Sequence, residues 1–95
     1  MARSRIEKRL ADVGRRLASL RTDLAVAEQA LMQVDGEADD ARLRALVSET
    51  PLAQKDHEQV RRQYEVLRRN RDGLRDEVAR LEARQDELLD QYNAS

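Results

Sequence analysis

Leucine returns at every seventh position over two stretches of this chain, at Leu10, Leu17, Leu24 and Leu31 and again at Leu67, Leu74, Leu81 and Leu88. Ile6, Val13, Leu20, Ala27 and Val34 interleave with the first series, so the apolar positions step alternately by four and three residues. That spacing is the heptad seam of a helix that hides one narrow stripe against another helix. In the second stretch Ala53 and Val60 lead into the leucine column, and the companion column holds His57, Tyr64, Arg71, Val78, Gln85 and Tyr92. The two ladders mirror each other about position 49: Leu10 answers Leu88, Leu17 answers Leu81, Leu24 answers Leu74 and Leu31 answers Leu67. Two helices folded back on each other require such numbering, because forward along one is backward along the other. The pattern predicts an all-α chain, an antiparallel two-helix coiled-coil hairpin.

Local signals place the ends. Ser4 followed by Glu7 is a capping box, in which each side chain satisfies a backbone N–H of the other. Thr50 is an N-cap residue and Pro51 sits at the first helical position, where its missing N–H is no loss. The sequence thus predicts one domain over 1–95, with a helix over about 4–47, a turn at about 48–50 and a helix over about 51–92. Asp35-Gly36 is the weak point, and it leaves open a bend or a separate short helix near 35–48. If the seam continues in phase, Ala38, Ala41 and Ala45 face Val60, His57 and Ala53, again mirrored about position 49, which favours one continuous helix.

Composition agrees with long helix. Charged side chains make up 39% of the chain and aromatic ones 2%, too little bulk for a globular core, while 40% apolar residues is too many for a disordered tail. Three Gly and one Pro leave few places to turn. The net charge of −1 provides no overall attraction to nucleic acid or an anionic membrane. No run approaches the ~18 apolar residues of a membrane span, and Met1 to Arg5 lacks the apolar stretch of a signal peptide, so a soluble, cytoplasmic protein is expected. The absence of cysteine excludes a disulfide framework and a thiolate metal site. Of 18 Lys and Arg only Lys8 and Lys55 are lysines, a bias that points to a GC-rich bacterial genome.

Charge supports the hairpin independently of hydrophobicity. Residues 1–21 carry seven basic and two acidic groups and lie opposite residues 76–95, with two basic and six acidic. Residues 22–50, with seven acidic and two basic, likewise meet residues 51–75, with seven basic and four acidic. Flanking pairs expected from this register are Arg21 with Glu82, Glu28 with Arg75 and Asp35 with Arg68. Exposed pairs contribute only ~0.2–1 kcal/mol each, so they select orientation more than they stabilise.

Keeping the alanines in the seam turns Leu43, Leu46 and Val47 outward, with Leu52 nearby on the second helix, and an apolar cluster at the tip of an arm is a natural protein-docking patch. The competing reading has the helix broken at Asp35-Gly36 and these side chains packed locally against Leu52 and Val60. A second stripe, Ala11, Ala18, Ala25 and Met32, would let two hairpins pair as a four-helix bundle, which favours a homodimer. Arg71 faces Ala27, the smallest seam residue of the first helix's leucine-rich part, and is expected to reach out to Asp23 or Glu28 and pin the register. Gln85 opposite Val13 has the same role. His57 faces Ala41 and is read as structural or solvated, since Asp39, Asp40, Asp56 and Glu58 show no metal-ligand spacing. Tyr64 and Tyr92 are read as seam residues with their hydroxyls in water.

Basic residues Arg61, Arg62, Arg68 and Arg69 could contact phosphates, but acids are interleaved and no exposed aromatic is placed to stack on bases, so ordinary solvated surface is the better reading. With no cysteine, one histidine and no glycine-rich phosphate loop, neither catalysis nor a cofactor, a metal or a small-molecule substrate is expected. Helical arms of similar length occur in regulators of the RNA polymerase secondary channel, in prefoldin-like chaperones and in seryl-tRNA synthetases, but the likeness stops at architecture. At the turn itself the one acid is Glu49, and there are no strand patterns. The expected function is that of a coiled-coil adaptor or regulator presenting its tip to another protein. A nucleic-acid or polymerase-associated arm and a self-assembling structural protein are the alternatives.

Overall fold

A computed structural model describes residues 2–95. It contains two α-helices, α1 (Ala2–Ser48) and α2 (Pro51–Ala94), joined by a two-residue turn into an antiparallel hairpin. Among the described residues there is no strand, and no helix is long and apolar enough to cross a membrane.

The heptad seam buries as the spacing requires. On α1 every seam position from Ile6 to Ala45 is buried or half-buried, and on α2 the same holds from Ala53 to Tyr92. α1 runs unbroken through Asp35-Gly36, so neither a break nor a separate short helix forms. Gly36 keeps an ordinary helical φ, and the intact hydrogen-bonding of its neighbours outweighs the ~1 kcal/mol propensity cost of a helical glycine. At the start of α1, the helix begins at Ala2 and Ser4 lies inside it. The expected capping box is therefore not the start of the helix.

Side-chain and backbone groups at the turn satisfy one another. Glu49 takes the left-handed conformation at φ 49°, and its N–H donates to the Ala45 carbonyl at 3.2 Å, the single-bond form of a left-handed helix C-cap. The amide of Gln54 donates to the same carbonyl at 3.4 Å. Thr50 caps α2 as its side chain predicts, with its Oγ1 accepting from the Ala53 N–H at 3.1 Å while its carbonyl accepts from the Gln54 N–H at 3.0 Å.

The chain divides into two compact units, Met1–Leu24 with Gly73–Ser95 and Ala25–Asp72, here the terminal unit and the turn unit. In the terminal unit Leu17, Leu20 and Val78 form a buried cluster against which Val13, Leu74 and Leu81 pack. The largest fully buried side chains, Leu17, Leu20 and Leu88, belong to this unit. Cross-helix pairs flank the cluster: Arg16 with Glu77 at 3.4 Å and Arg21 with Glu82 at 3.5 Å, the latter as the register predicts. Farther along, the Tyr92 hydroxyl donates to Glu7 at 3.1 Å and the Arg3 guanidinium sits 4.3 Å from the Tyr92 ring centroid. Tyr92 therefore ties the two helices together instead of offering its hydroxyl to water alone, and the ring face it presents holds the cation.

In the turn unit the buried side chains are Ala27, Leu31, Val34, Ala41 and Ala45. Small residues thus take over the seam as it approaches the turn. His57 and Tyr64 are half-buried in it. Arg71 pairs on its own helix: its Nε lies 2.7 Å from Asp72 Oδ1, and its side chain is 20% exposed. Arg68 likewise pairs with Glu65 at 2.9 Å and Asp72 at 3.8 Å, on its own helix, where the register alone had suggested Asp35. A partner one helical turn away costs less side-chain entropy to hold than one across the seam.

Candidate functional site

The turn unit inverts the usual placement of apolar groups. Toward the turn its α1 seam is alanine, at Ala38, Ala41 and Ala45, while Leu43, Leu46, Val47 and Leu52 stand 54%, 64%, 84% and 78% exposed. The cause lies in the heptad phase: Ala38, Ala41 and Ala45 occupy the inward positions of α1, so the larger residues two and one places away must point out. Continuity of α1 through Gly36 keeps that phase and rules out local packing of these side chains against Val60. Arg44, Ser48, Thr50, Leu52, Ala53 and Asp56 line a hollow of about 400 Å³ beside the turn. Arg44 and Asp56 bridge it with an ion pair at 3.3 Å. The hollow therefore joins apolar contact from Leu52 and Ala53 to two charges and two hydroxyls, a mixture suited to a protein surface.

Val26, Met32 and Val66 are exposed in the same unit, whereas among the described residues of the terminal unit the one exposed large apolar side chain is Leu89. The concentration within Ala25–Asp72 was not evident from the seam pattern, since Val26 and Val66 read as isolated outward valines. A helical-wheel comparison of the outward faces, unit by unit, is the signal that finds them.

Of the four arginines considered for phosphate contact, Arg61, Arg62 and Arg68 are engaged by acids. Arg61 donates to Glu58 through Nη2 at 2.7 Å and through Nε at 3.3 Å, and Arg62 lies 3.4 Å from the same carboxylate. The hydrogen bond from Arg61 holds the Glu58 carboxyl below its usual range and raises the Arg61 guanidinium. Arg68 does the same for Glu65. Arg69 is exposed on the same helix. Positive charge presented to a phosphate along this face is thus largely matched by neighbouring acids. Among the described residues no group of three or more His, Cys, Asp or Glu side chains is placed to hold a metal ion.

No family model, curated protein or solved structure matches the chain.

Proposed function

We propose that this protein is a non-enzymatic coiled-coil adaptor or regulatory protein that docks a protein partner on the turn of its hairpin. The observation that carries the reading is the exposure of Leu43, Leu46, Val47 and Leu52 around a turn whose backbone is capped on both sides. Exposed leucine and valine on a rigid support lose little conformational entropy when covered, and each fully buried aliphatic side chain gains roughly 1.5–3 kcal/mol. The hollow beside Leu52 provides a recess into which one partner side chain fits.

Val47 and Leu52, the two most exposed of the four, supply the test. The full chain and a Val47→Asp, Leu52→Asp variant are used to recover proteins from the native cell, quantified by mass spectrometry. Loss of a defined protein from the variant is the expected result. Recovery of every wild-type partner by the variant would reject the reading, and a salt-sensitive association with nucleic acid that depends on Arg61, Arg62, Arg68 and Arg69 would replace it.

A further inference from the structure

The hollow beside the turn has a mixed lining. Leu52 and Ala53 form its apolar part, Ser48 and Thr50 contribute hydroxyls, and Arg44 and Asp56 meet across it at 3.3 Å. All six belong to the turn unit. Hydrogen bonds fix both helix ends that frame them, from the Glu49 N–H to the Ala45 carbonyl and from the Ala53 N–H to Thr50 Oγ1. A recess on such a frame stands open before anything enters it. Its volume of about 400 Å³ falls within the ~300–1,000 Å³ of ordinary ligand pockets.

The ion pair decides what the hollow accepts. A carboxylate or phosphate drawn to Arg44 is brought close to Asp56 and repelled, and an ammonium drawn to Asp56 meets Arg44 in the same way. Charged groups of either sign are thus disfavoured. An aliphatic side chain covers Leu52 and Ala53 but strips water from two charges and two hydroxyls without replacing a hydrogen bond. A flat ring with one polar edge meets all of these demands. We propose that the hollow seats an aromatic side chain carrying a hydrogen-bond donor, tryptophan before tyrosine, from the protein partner of the turn. The inference rests on the docking reading and names the chemistry of its partner.

In this arrangement the ring lies on Leu52 and Ala53, and the Arg44 guanidinium covers its face, a stacking that leaves the in-plane N–H groups free to pair with Asp56. Asp56 uses Oδ2 for Arg44. Its Oδ1 accepts the proton of the ring's polar edge, since a carboxylate takes several hydrogen bonds at once. Indole leads because it only donates, which suits an acceptor-only carboxylate, and because its fused rings cover more apolar surface. Val47, 84% exposed, stands at the turn where further apolar residues of the partner shield the anchor from water. The chain has no Trp or Phe to fill the hollow itself, and its two tyrosines, Tyr64 and Tyr92, are half-buried at seam positions. The ring comes from outside.

N-acetyl-tryptophanamide is the probe. Because the chain lacks tryptophan, titrating the full chain into a fixed amount of probe and following indole anisotropy reads binding without background. A roughly millimolar affinity is expected for so small a ligand, with backbone amide shifts in isotope-labelled chain centred on residues 44–56. N-acetyl-phenylalaninamide, which lacks the donor, should bind about tenfold more weakly by the same shifts. Asp56→Ala should abolish that preference, and Leu52→Ala should weaken both probes. Both residues are exposed, so circular dichroism of the variants stays helical. Absence of amide shifts around the hollow, N-acetyl-leucinamide binding as tightly as the tryptophan probe, or a tryptophan preference that survives Asp56→Ala would each overturn the proposal. The two readings fail separately. A hollow that takes no indole, with a partner still lost from the Val47→Asp, Leu52→Asp variant, rejects this inference alone. Indole binding by a chain whose Val47→Asp, Leu52→Asp variant recovers every partner rejects the docking reading while the aromatic site stands.

Discussion

The terminal unit and the turn unit are made of the same two helices and the same heptad phase, yet the turn unit leaves far more of its large apolar side chains outside the seam. In the terminal unit Leu17, Leu20 and Leu88 are sealed in the seam, and cross-helix pairs such as Arg21 with Glu82 close its edges. In the turn unit the sealed residues are Ala27, Leu31, Val34, Ala41 and Ala45, alanine alone nearest the turn, while Val26, Met32, Leu43, Leu46, Val47, Leu52 and Val66 face out. The first unit directs its hydrophobic surface to holding the hairpin together. The second keeps most of that surface available; its ion pairs Arg61 with Glu58 and Arg68 with Glu65 lie within α2, and Arg44 with Asp56 joins the two helices beside the turn.

The comparison breaks most visibly at Leu17. Leu17→Ala should destabilise the hairpin by roughly 2–5 kcal/mol, measured by urea unfolding, because it empties a position that is 1% exposed. A loss below ~1 kcal/mol would mean that the terminal unit does not carry the core. Next in size is Ala41→Leu in the turn unit, which forces a larger side chain into a fully buried alanine site and should cost about 1–3 kcal/mol. If Ala41→Leu stabilises instead, the alanine seam is slack and not closely packed.

Thr50→Ala removes the hydrogen bond to the Ala53 N–H and should cost ~1 kcal/mol. Glu49→Gly should do the reverse, by about 1 kcal/mol, since glycine enters the left-handed region without the Cβ penalty. Amide hydrogen exchange around residues 45–54 reads both. Gly36→Ala should raise the unfolding free energy by about 0.5–1 kcal/mol in urea unfolding, because the added methyl meets open space.

The smallest effect is that of acid. The carboxyls of Glu58 and Glu65 are held low by hydrogen bonds from Arg61 and Arg68. A lowered folded-state value contributes stability that is present above the ordinary carboxylate value and lost as pH falls through the lowered one. Both carboxylates are open to solvent, so the loss should be slight, lie below pH 4.5 and vanish in Glu58→Gln, Glu65→Gln. A thermal melt followed against pH measures it, and a large drop confined to wild type would mean that these pairs hold the hairpin together.

Much of this was legible beforehand because heptad spacing and mirror numbering are properties of the chain alone. Apolar residues at alternating steps of four and three define one helix face whatever the surroundings, so Leu17, Leu20, Val78 and Leu88 could be assigned to the seam, and Leu43, Leu46, Val47 and Leu52 to the outside, before any coordinates. Thr50-Pro51 marked the start of α2 by the chemistry of its own side chains.

What tertiary structure decided were choices between partners of similar reach. Arg68 had acids within range on both helices, and the pairs with Glu65 and Asp72 within α2 prevailed. Whether Gly36 broke α1 turned on cooperative hydrogen-bonding along the whole helix and on Ala41 and Ala45 packing beyond it, neither of which a local signal records. Glu49 entered the left-handed region because a two-residue connection between antiparallel helices demanded that backbone, against the preference of its own side chain. Periodic burial is written along the chain, whereas a competition among nearly equal contacts is settled only when all the competitors are in place.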